Sequence, residues 1–358
     1  MSESAPIRVV LVGCGAVARL FYKPALLELE RLGAIKVVGA VDPSSEARSE
    51  LGNTFKTAAT FPDIKSVSKT NATMAIVASP PRFHREQTES LLKNGMHVLC
   101  EKPMAGNVAD CQAMISVAER ENRILAVGHY KRFFPSHQFV RHLIRNRTLG
   151  ALQAIAIQEG GKFRWPAASG SFFDKAQTAG GVLLDIGVHV LDLLLWWLGK
   201  PVSFTYQDDA LDGLEANAFL DASYANGVTT TVRLSRDSET LNTYAFQFER
   251  AVVHLRVNQA NRAEITMADM PMTLSGQLTE PICQRFPMST VPLDTNPQAF
   301  VAQLINVISA IECGQTPLVP GIEGIRAIEW IEECYRTRVP INVAWMPHSD
   351  GIEQCVLR

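Results

Sequence analysis

Asp185 and His189 stand four residues apart in the apolar run Val182–Leu198, and Asp192 follows three residues later. On a helix the first two share one face, and Asp192 is placed to join them. A neutral imidazole moves protons near pH 7, so this pattern suits general acid–base work. Two plainer readings stand beside it: a satisfied core histidine, and an Asp–His pair local to one helix. A metal site is not expected. No other ligand cluster accompanies the three, and three ligands on one helix converge poorly.

The second constellation is Gly13-Cys14-Gly15-Ala16-Val17-Ala18, a G-x-G-x-x-A turn. The first glycine permits a tight turn, the second lets backbone approach a pyrophosphate, and Ala18 lets helix and strand pack closely. The anion then sits at a helix N-terminus, where free N–H groups and the helix dipole favour negative charge. Gly13, Gly15, Ala16 and Val17 are therefore candidate cofactor-binding residues. Asp42 lies 24 residues after Ala18. Its carboxylate is placed to accept ribose hydroxyls, with a helix cap before Pro43 as the alternative. A carboxylate repels a 2′-phosphate, and no Arg or Lys follows Asp42 until Arg48. NAD(H) is thus expected over NADP(H).

These residues need elements to position them. Ile7–Val12, Ile35–Val41, Met74–Ala78, His97–Cys100 and Ile124–Val127 are short apolar runs that read as buried strands. Between them, Ala16–Leu32, Ser45–Leu51, Arg82–Asn94 and Asp110–Glu121 read as helices. The alternation predicts an α/β Rossmann domain, a doubly wound parallel sheet, over residues 1–127. Gly13, Asp42, Ser79 and Glu101 all fall at strand carboxyl ends, where such sheets bind ligands.

The pattern changes after Gly128. A helix is expected over Pro135–Arg147. Six runs follow: Ala151–Gln158, Val202–Gln207, Ala216–Tyr224, Val228–Leu234, Tyr244–Phe248 and Val252–Val257. Several alternate apolar with polar residues, as in a mainly antiparallel sheet with one face covered. A helix over Gly181–Leu198 is inserted among them, and Phe300–Glu312 and Ile322–Arg338 read as closing helices. Residues 128–358 are therefore expected to form an α+β substrate-binding and oligomerisation domain with an open-faced sheet.

Composition narrows the function. The formal net charge is −2 and no basic run is present, which argues against nucleic acid. The Val182–Leu198 run carries Asp185, His189 and Asp192, against a membrane span. The seven cysteines form no C-x-x-C and cannot all pair. With no signal-like N-terminal segment, they point to a reducing, cytoplasmic setting.

Four motifs together resemble the Gfo/Idh/MocA oxidoreductases, the group that includes glucose–fructose oxidoreductase and inositol dehydrogenases. They are the Gly13–Ala18 turn, Ser79-Pro80-Pro81 with His84, Glu101-Lys102-Pro103, and the stretch from Gly180-Gly181 through Asp185, Gly187 and His189 to Asp192. The resemblance implies that Lys102 hydrogen-bonds the oxygen of the carbon that exchanges hydride with the nicotinamide. Ser79, Pro80 and His84 then lie along the cofactor, with Glu101 near its nicotinamide end. The Lys102–Pro103 bond is a candidate for the cis form. His189 is implied as general base in oxidation and general acid in reduction. Asp185 binds a neighbouring substrate hydroxyl or supports a His189–Lys102 network. Relatives often place a polar or basic residue toward substrate in the segment here occupied by His129–Phe133, which makes Lys131 a candidate. Lys162, Arg164 and Trp165 precede the catalytic helix and suit a sugar-like ligand, or else belong to a surface loop.

The function so implied is reversible oxidation of a secondary alcohol on a sugar, polyol or sugar derivative. An NAD-dependent glycosidase acting by transient oxidation, or a non-catalytic nucleotide sensor, would keep the same turn. The open sheet face predicts a homodimer or homotetramer.

Overall fold

Parallel pairing in the first half is built from β-branched runs buried on both faces. The strands are β1 (Ile7–Val12), β2 (Ile35–Val41), β3 (Ala59–Phe61), β4 (Met74–Val77), β5 (His97–Cys100) and β6 (Leu125–Val127). In a computed structural model describing residues 5–56, 58–166, 173–175, 177–257, 259–269, 273–277 and 296–341, they are ordered β3-β2-β1-β4-β5-β6. Strand order reverses between β1 and β4, and that reversal opens a crevice at their carboxyl ends. All four residues of β4 are buried, as a doubly covered strand requires.

The turn after β1 leads into a π-helical turn, Ala18–Tyr22, and then α1 (Lys23–Arg31). Helix α2 (Ser45–Thr54) is capped by Ser44, whose Oγ accepts from the N–H of Ala47. Helices α3 (His84–Lys93) and α4 (Val108–Arg120) follow β4 and β5. Strand β3 was not anticipated. It is three residues long with Ala59 and Thr60 exposed, so it carries no apolar signal.

The second half holds α5 (Pro135–Asn146), β7 (Leu152–Gly160), α6 (Val188–Leu198), β8 (Ser203–Asp208), β9 (Asn217–Ser223) and β10 (Thr229–Ser235). β11 (Thr243–Phe248), β12 (Ala251–Arg256), β13 (Arg262–Met267), β14 (Thr273–Gln277), α7 (Asn296–Cys313), α8 (Gly321–Arg336) and β15 (Val339–Pro340) complete the described elements. The sheet runs β14-β13-β12-β11-β7-β10-β9-β8-β15. It is mixed: β7 pairs with β10, and β8 with β15, in parallel, while the other pairs are antiparallel. Strands β13, β14 and β15 were not foreseen, because β13 buries little, β14 is exposed along residues 273–276 and β15 is only two residues long.

One face of this sheet is covered. Ile155, Ile157, Leu220, Val232 and Leu234 join Leu191 and Leu194 of α6 in a cluster that reaches Val98 and Val127 of the first sheet. Helix α7 goes elsewhere. Its Phe300, Leu304 and Ile308 pack with Val9, Leu11, Leu26 and Leu29 of the first domain. No helix among the described residues is long and apolar enough to cross a membrane. Cys283 and Cys355 lie outside the described residues.

Candidate active site

The turn after β1 has the shape its glycines predict. Gly13 has φ +90°, and a Cβ there would lie 2.5 Å from the backbone N of Ser79. The close approach of two strand ends therefore demands glycine. A Cβ on Gly15 would meet nothing within 4 Å, so backbone faces open space at the start of the helix. Ala16 is buried and Val17 half-buried beside it. Asp42 is not the helix cap, which Ser44 supplies. Its Oδ2 accepts from the N–H of Cys14 and its Oδ1 from that of Ser44, both at 2.8 Å. The carboxylate is thus fixed against the glycine turn at the end of β2. Arg48 donates to the carbonyls of Asp42 and Pro43. A dinucleotide fits this cradle: an uncovered glycine at a helix start, with an oriented carboxylate one strand away.

At the end of β5, Lys102 follows the buried Glu101, and the Lys102–Pro103 peptide is cis. Glu101 Oε1 accepts from Tyr22 Oη at 2.7 Å, and burial pushes its carboxyl pKa up. Beneath Glu101, a Cβ on Gly128 would lie 2.8 Å from the carboxylate. Lys102 Nζ donates to the carbonyl of Asp185 at 3.0 Å and to its Oδ1 at 3.2 Å. Burial lowers the Lys102 pKa to about 8, with Arg236 adding to the effect and Glu101 opposing it.

Asp185 lies in a π-helical turn, Leu183–Gly187, that runs directly into α6. Two features aim this segment. Glu215 Oε1 accepts from the N–H groups of Gly181 and Leu183, as an N-terminal cap. Gly180 and Gly181 press against Tyr335 and Glu215, where a Cβ would fall 2.1 and 2.2 Å from their oxygens. One turn on, the ring of His189 packs edge-on to Tyr130 at 5.0 Å and to His129 at 6.2 Å. Its Nδ1 is buried without a hydrogen-bond partner among the described residues. Burial, then the charges of Lys102 and Lys131, hold its pKa well below 6.5. The imidazole is therefore neutral at pH 7, as a proton acceptor must be. Asp185 bonds Lys102 rather than His189, so the local helix-pair reading gives way to a link between strand and helix.

Several expected residues are placed differently. Asp192 does not share the open face. It is buried and grips Arg132 through two hydrogen bonds of 2.9 and 2.7 Å, while Arg132 also reaches Glu323. This clamp ties Tyr130–Phe133, α6 and α8 together. His84 is fully buried, its Nδ1 3.0 Å from the Pro103 carbonyl and its Nε2 2.7 Å from that of Ser79. It braces the loops after β4 and β5 instead of lining the crevice. Ser79 Oγ bonds Gln87, and Pro80 is exposed. Lys131, expected to face substrate, is buried with its Nζ engaged by Glu159 and Tyr244. Lys162 and Arg164 are exposed, and Arg164 pairs with Glu239 on the surface. Trp165 turns toward the first domain and stacks on Phe21 at 6.0 Å. Phe21 in turn stacks on Phe300, and Phe300 on Tyr130 beside His189.

Arg236 was missed. It follows β10, and its Nη2 donates to Asp185 Oδ2. Its guanidinium stands over the Phe163 ring, 5.4 Å from the centroid. No local motif marks it; parallel pairing of β10 with β7 brings it to the site.

A family model described as an oxidoreductase family with an NAD-binding Rossmann fold matches residues 7–129, and the GFO/IDH/MocA C-terminal-domain model matches residues 137–255. Over 202 residues the chain is 30% identical to D-glucoside 3-dehydrogenase of Escherichia coli strain K12, covering 55% of this chain and 56% of that protein. The matched region thus spans about half the length of such curated relatives. Levoglucosan dehydrogenase, solved with NADH and levoglucosan, superposes with TM-score 0.81 at 16% identity, covering 93% of this chain and 97% of that one. Aldose–aldose oxidoreductase from Caulobacter crescentus, solved with glycerol, gives TM-score 0.78 at 22% identity, with coverages of 93% and 97%. These two likenesses establish the shared fold.

Proposed function

The chain belongs to the Gfo/Idh/MocA oxidoreductases, and from that premise we propose that it transfers hydride between a nicotinamide cofactor and a secondary alcohol or ketone of a sugar, polyol or sugar derivative. The observation that carries this reading is the convergence of Lys102, Asp185 and His189 at the carboxyl end of β5. Similarity to D-glucoside 3-dehydrogenase supports a sugar-like substrate.

The bound nicotinamide supplies the hydride chemistry, leaving the proton to the protein. In oxidation, neutral His189 accepts the hydroxyl proton; in reduction the imidazolium returns it. Lys102 donates to the oxygen on which negative charge builds. Asp185 fixes the Lys102 ammonium from the second domain, which positions the donor. Pinned by two backbone amides, Asp42 accepts from the ribose and repels a 2′-phosphate, which favours NAD(H) over NADP(H). The same reading places the domain boundary near residue 127, the protein in the cytoplasm, and two or four copies joined through the open sheet face. Buried free thiols at Cys14, Cys100, Cys111 and Cys334 support the reducing compartment.

The decisive experiment is a tryptophan-fluorescence titration with NADH and NADPH, followed by absorbance assays on a panel of polyols and sugars. Tight NADH binding and turnover of a sugar-like alcohol are expected, with Lys102→Met and His189→Ala slowed by roughly 10²–10⁴ yet still binding NADH. Failure to bind either nucleotide would sink the proposal. Asp42→Ala is expected to narrow the gap between the two cofactors.

A further inference from the structure

Three charged side chains of the site remain partly open to solvent: Lys102 at 18%, Asp185 at 25% and Arg236 at 26%. Two are cations, and each already holds one oxygen of the single anion: Lys102 takes Oδ1 and Arg236 takes Oδ2. Of the other nearby carboxylates, Glu101 and Glu159 are buried and committed, while Asp237 and Glu239 are exposed, Asp237 accepting from Asn217, Ser235 and Ser238 and Glu239 pairing with Arg164. Glu101 binds Tyr22 and the N–H of Lys102, while Glu159 binds Lys131 and Tyr244. What the cleft still offers a ligand is therefore mostly N–H donors. Arg236 has five N–H bonds. Its one side-chain hydrogen bond among the described residues is the one to Asp185.

The guanidinium is also held in place. Its backbone N–H donates to the Ala216 carbonyl, and its own carbonyl accepts from the N–H of Phe163. The Phe163 ring lies beneath it. A planar donor fork fixed on both sides suits two acceptor oxygens in one plane, and a carboxylate provides them without bringing donors of its own.

We propose that Arg236 contacts the substrate, and that the preferred substrate is a sugar bearing a carboxylate, a uronate or aldonate. The inference rests on the dehydrogenase reading for the location of the substrate and adds its chemical class.

The test uses the full chain saturated with NADH. A panel of aldoses, each paired with its uronate, is titrated by calorimetry, and kcat/KM for oxidation is measured for every pair in separate assays with NAD+ in place of NADH. At least one uronate is expected to bind about tenfold or more tightly than its neutral partner. Arg236→Met is expected to abolish that preference, lowering the affinity for the uronate about tenfold more than that for its neutral partner. Arg236→Lys, which keeps the charge and loses the fork, is expected to recover part of it. NADH affinity and melting temperature are controls that all three proteins should share. Equal affinity across every pair, including no binding by either member, overturns the proposal. So does an equal loss for both members in Arg236→Met, since Arg236 would then act only through Asp185. Turnover of neutral sugars alone leaves the dehydrogenase reading standing without this one. A uronate preference in binding without hydride transfer does the reverse.

Discussion

His189 and Lys102 share one physical cause and need opposite protonation states. Burial disfavours charge on both, leaving the imidazole neutral well below pH 6.5 and the ammonium protonated only to about pH 8. Alcohol oxidation is accordingly expected to hold level through pH 6.5 and to fall only well below it. At its alkaline end oxidation, which needs protonated Lys102 to donate, is expected to fall as pH rises through about 8, whereas ketone reduction, which needs the His189 imidazolium, is expected to be fastest well below pH 6.5 and to fall already as pH rises toward it. Lys102→Met should remove that alkaline limb from the pH–rate profile and cost roughly 10²–10⁴ in rate. His129 carries a stability consequence. Burial lowers its pKa to about 4. Between pH 6.5 and 4 the unfolded chain takes up a proton there and the folded chain does not, so stability is lost as pH falls through that window. Melting curves across the window should show the loss in wild type and a smaller one in His129→Gln. At this scale the sequence showed which residue types carry chemistry. It could not show that Lys131, His84 and Asp192 spend their polar atoms on buried partners, because Glu159, Pro103 and Arg132 lie far from them in the chain or on other elements.

The strand-to-helix turn is the element on which cofactor binding depends, and its two glycines do different jobs. Gly13 is constrained from within, by φ +90° and by the backbone of Ser79 2.5 Å from a Cβ. Gly13→Ala is expected to destabilise the fold by roughly 1–3 kcal/mol, read as a lowered melting temperature. Gly15 is constrained only by what comes to lie on it. Gly15→Ala should melt as wild type does, yet bind NADH at least about tenfold more weakly. A Gly15→Ala protein with undiminished NADH affinity would contradict the placement of the pyrophosphate. Boundaries of β2 and β5 were legible to the residue, since each is an apolar run ended by a polar or turn residue. The π-helical turn at Asp185 was not. The Asp185–His189 spacing suits an ordinary helix, and only the glycines packed on Glu215 and Tyr335 reveal how that turn is held.

At the scale of the whole molecule, the outer face of the second sheet is exposed among the described residues, at Ala156, Thr231 and Gln247. Its middle row is small and flat: Ala245 and Thr231 flank Ala156 in register, with His254 and Asp221 beyond them. Such a row admits close sheet-to-sheet approach, as the proposed homo-oligomer requires. Light scattering at micromolar concentration is expected to report a dimer or tetramer, and Ala156→Arg to shift the mass toward the monomer. A monomeric wild type would count against that face as an interface. Local sequence determined the Rossmann half, the covered-face strands and the nucleotide turn, because periodicity and turn chemistry are properties of neighbouring residues; the Asp185–His189 pair was legible as a spacing, and Lys102 only through the resemblance of its motif to a family's. Tertiary structure alone decided the rest. Helix α7 returns from the far end of the chain to pack on the first domain, and β10 pairs in parallel with β7 to deliver Arg236 to Asp185. Both are long-range contacts. Burial and non-local pairing select them, and no stretch of neighbouring residues encodes either.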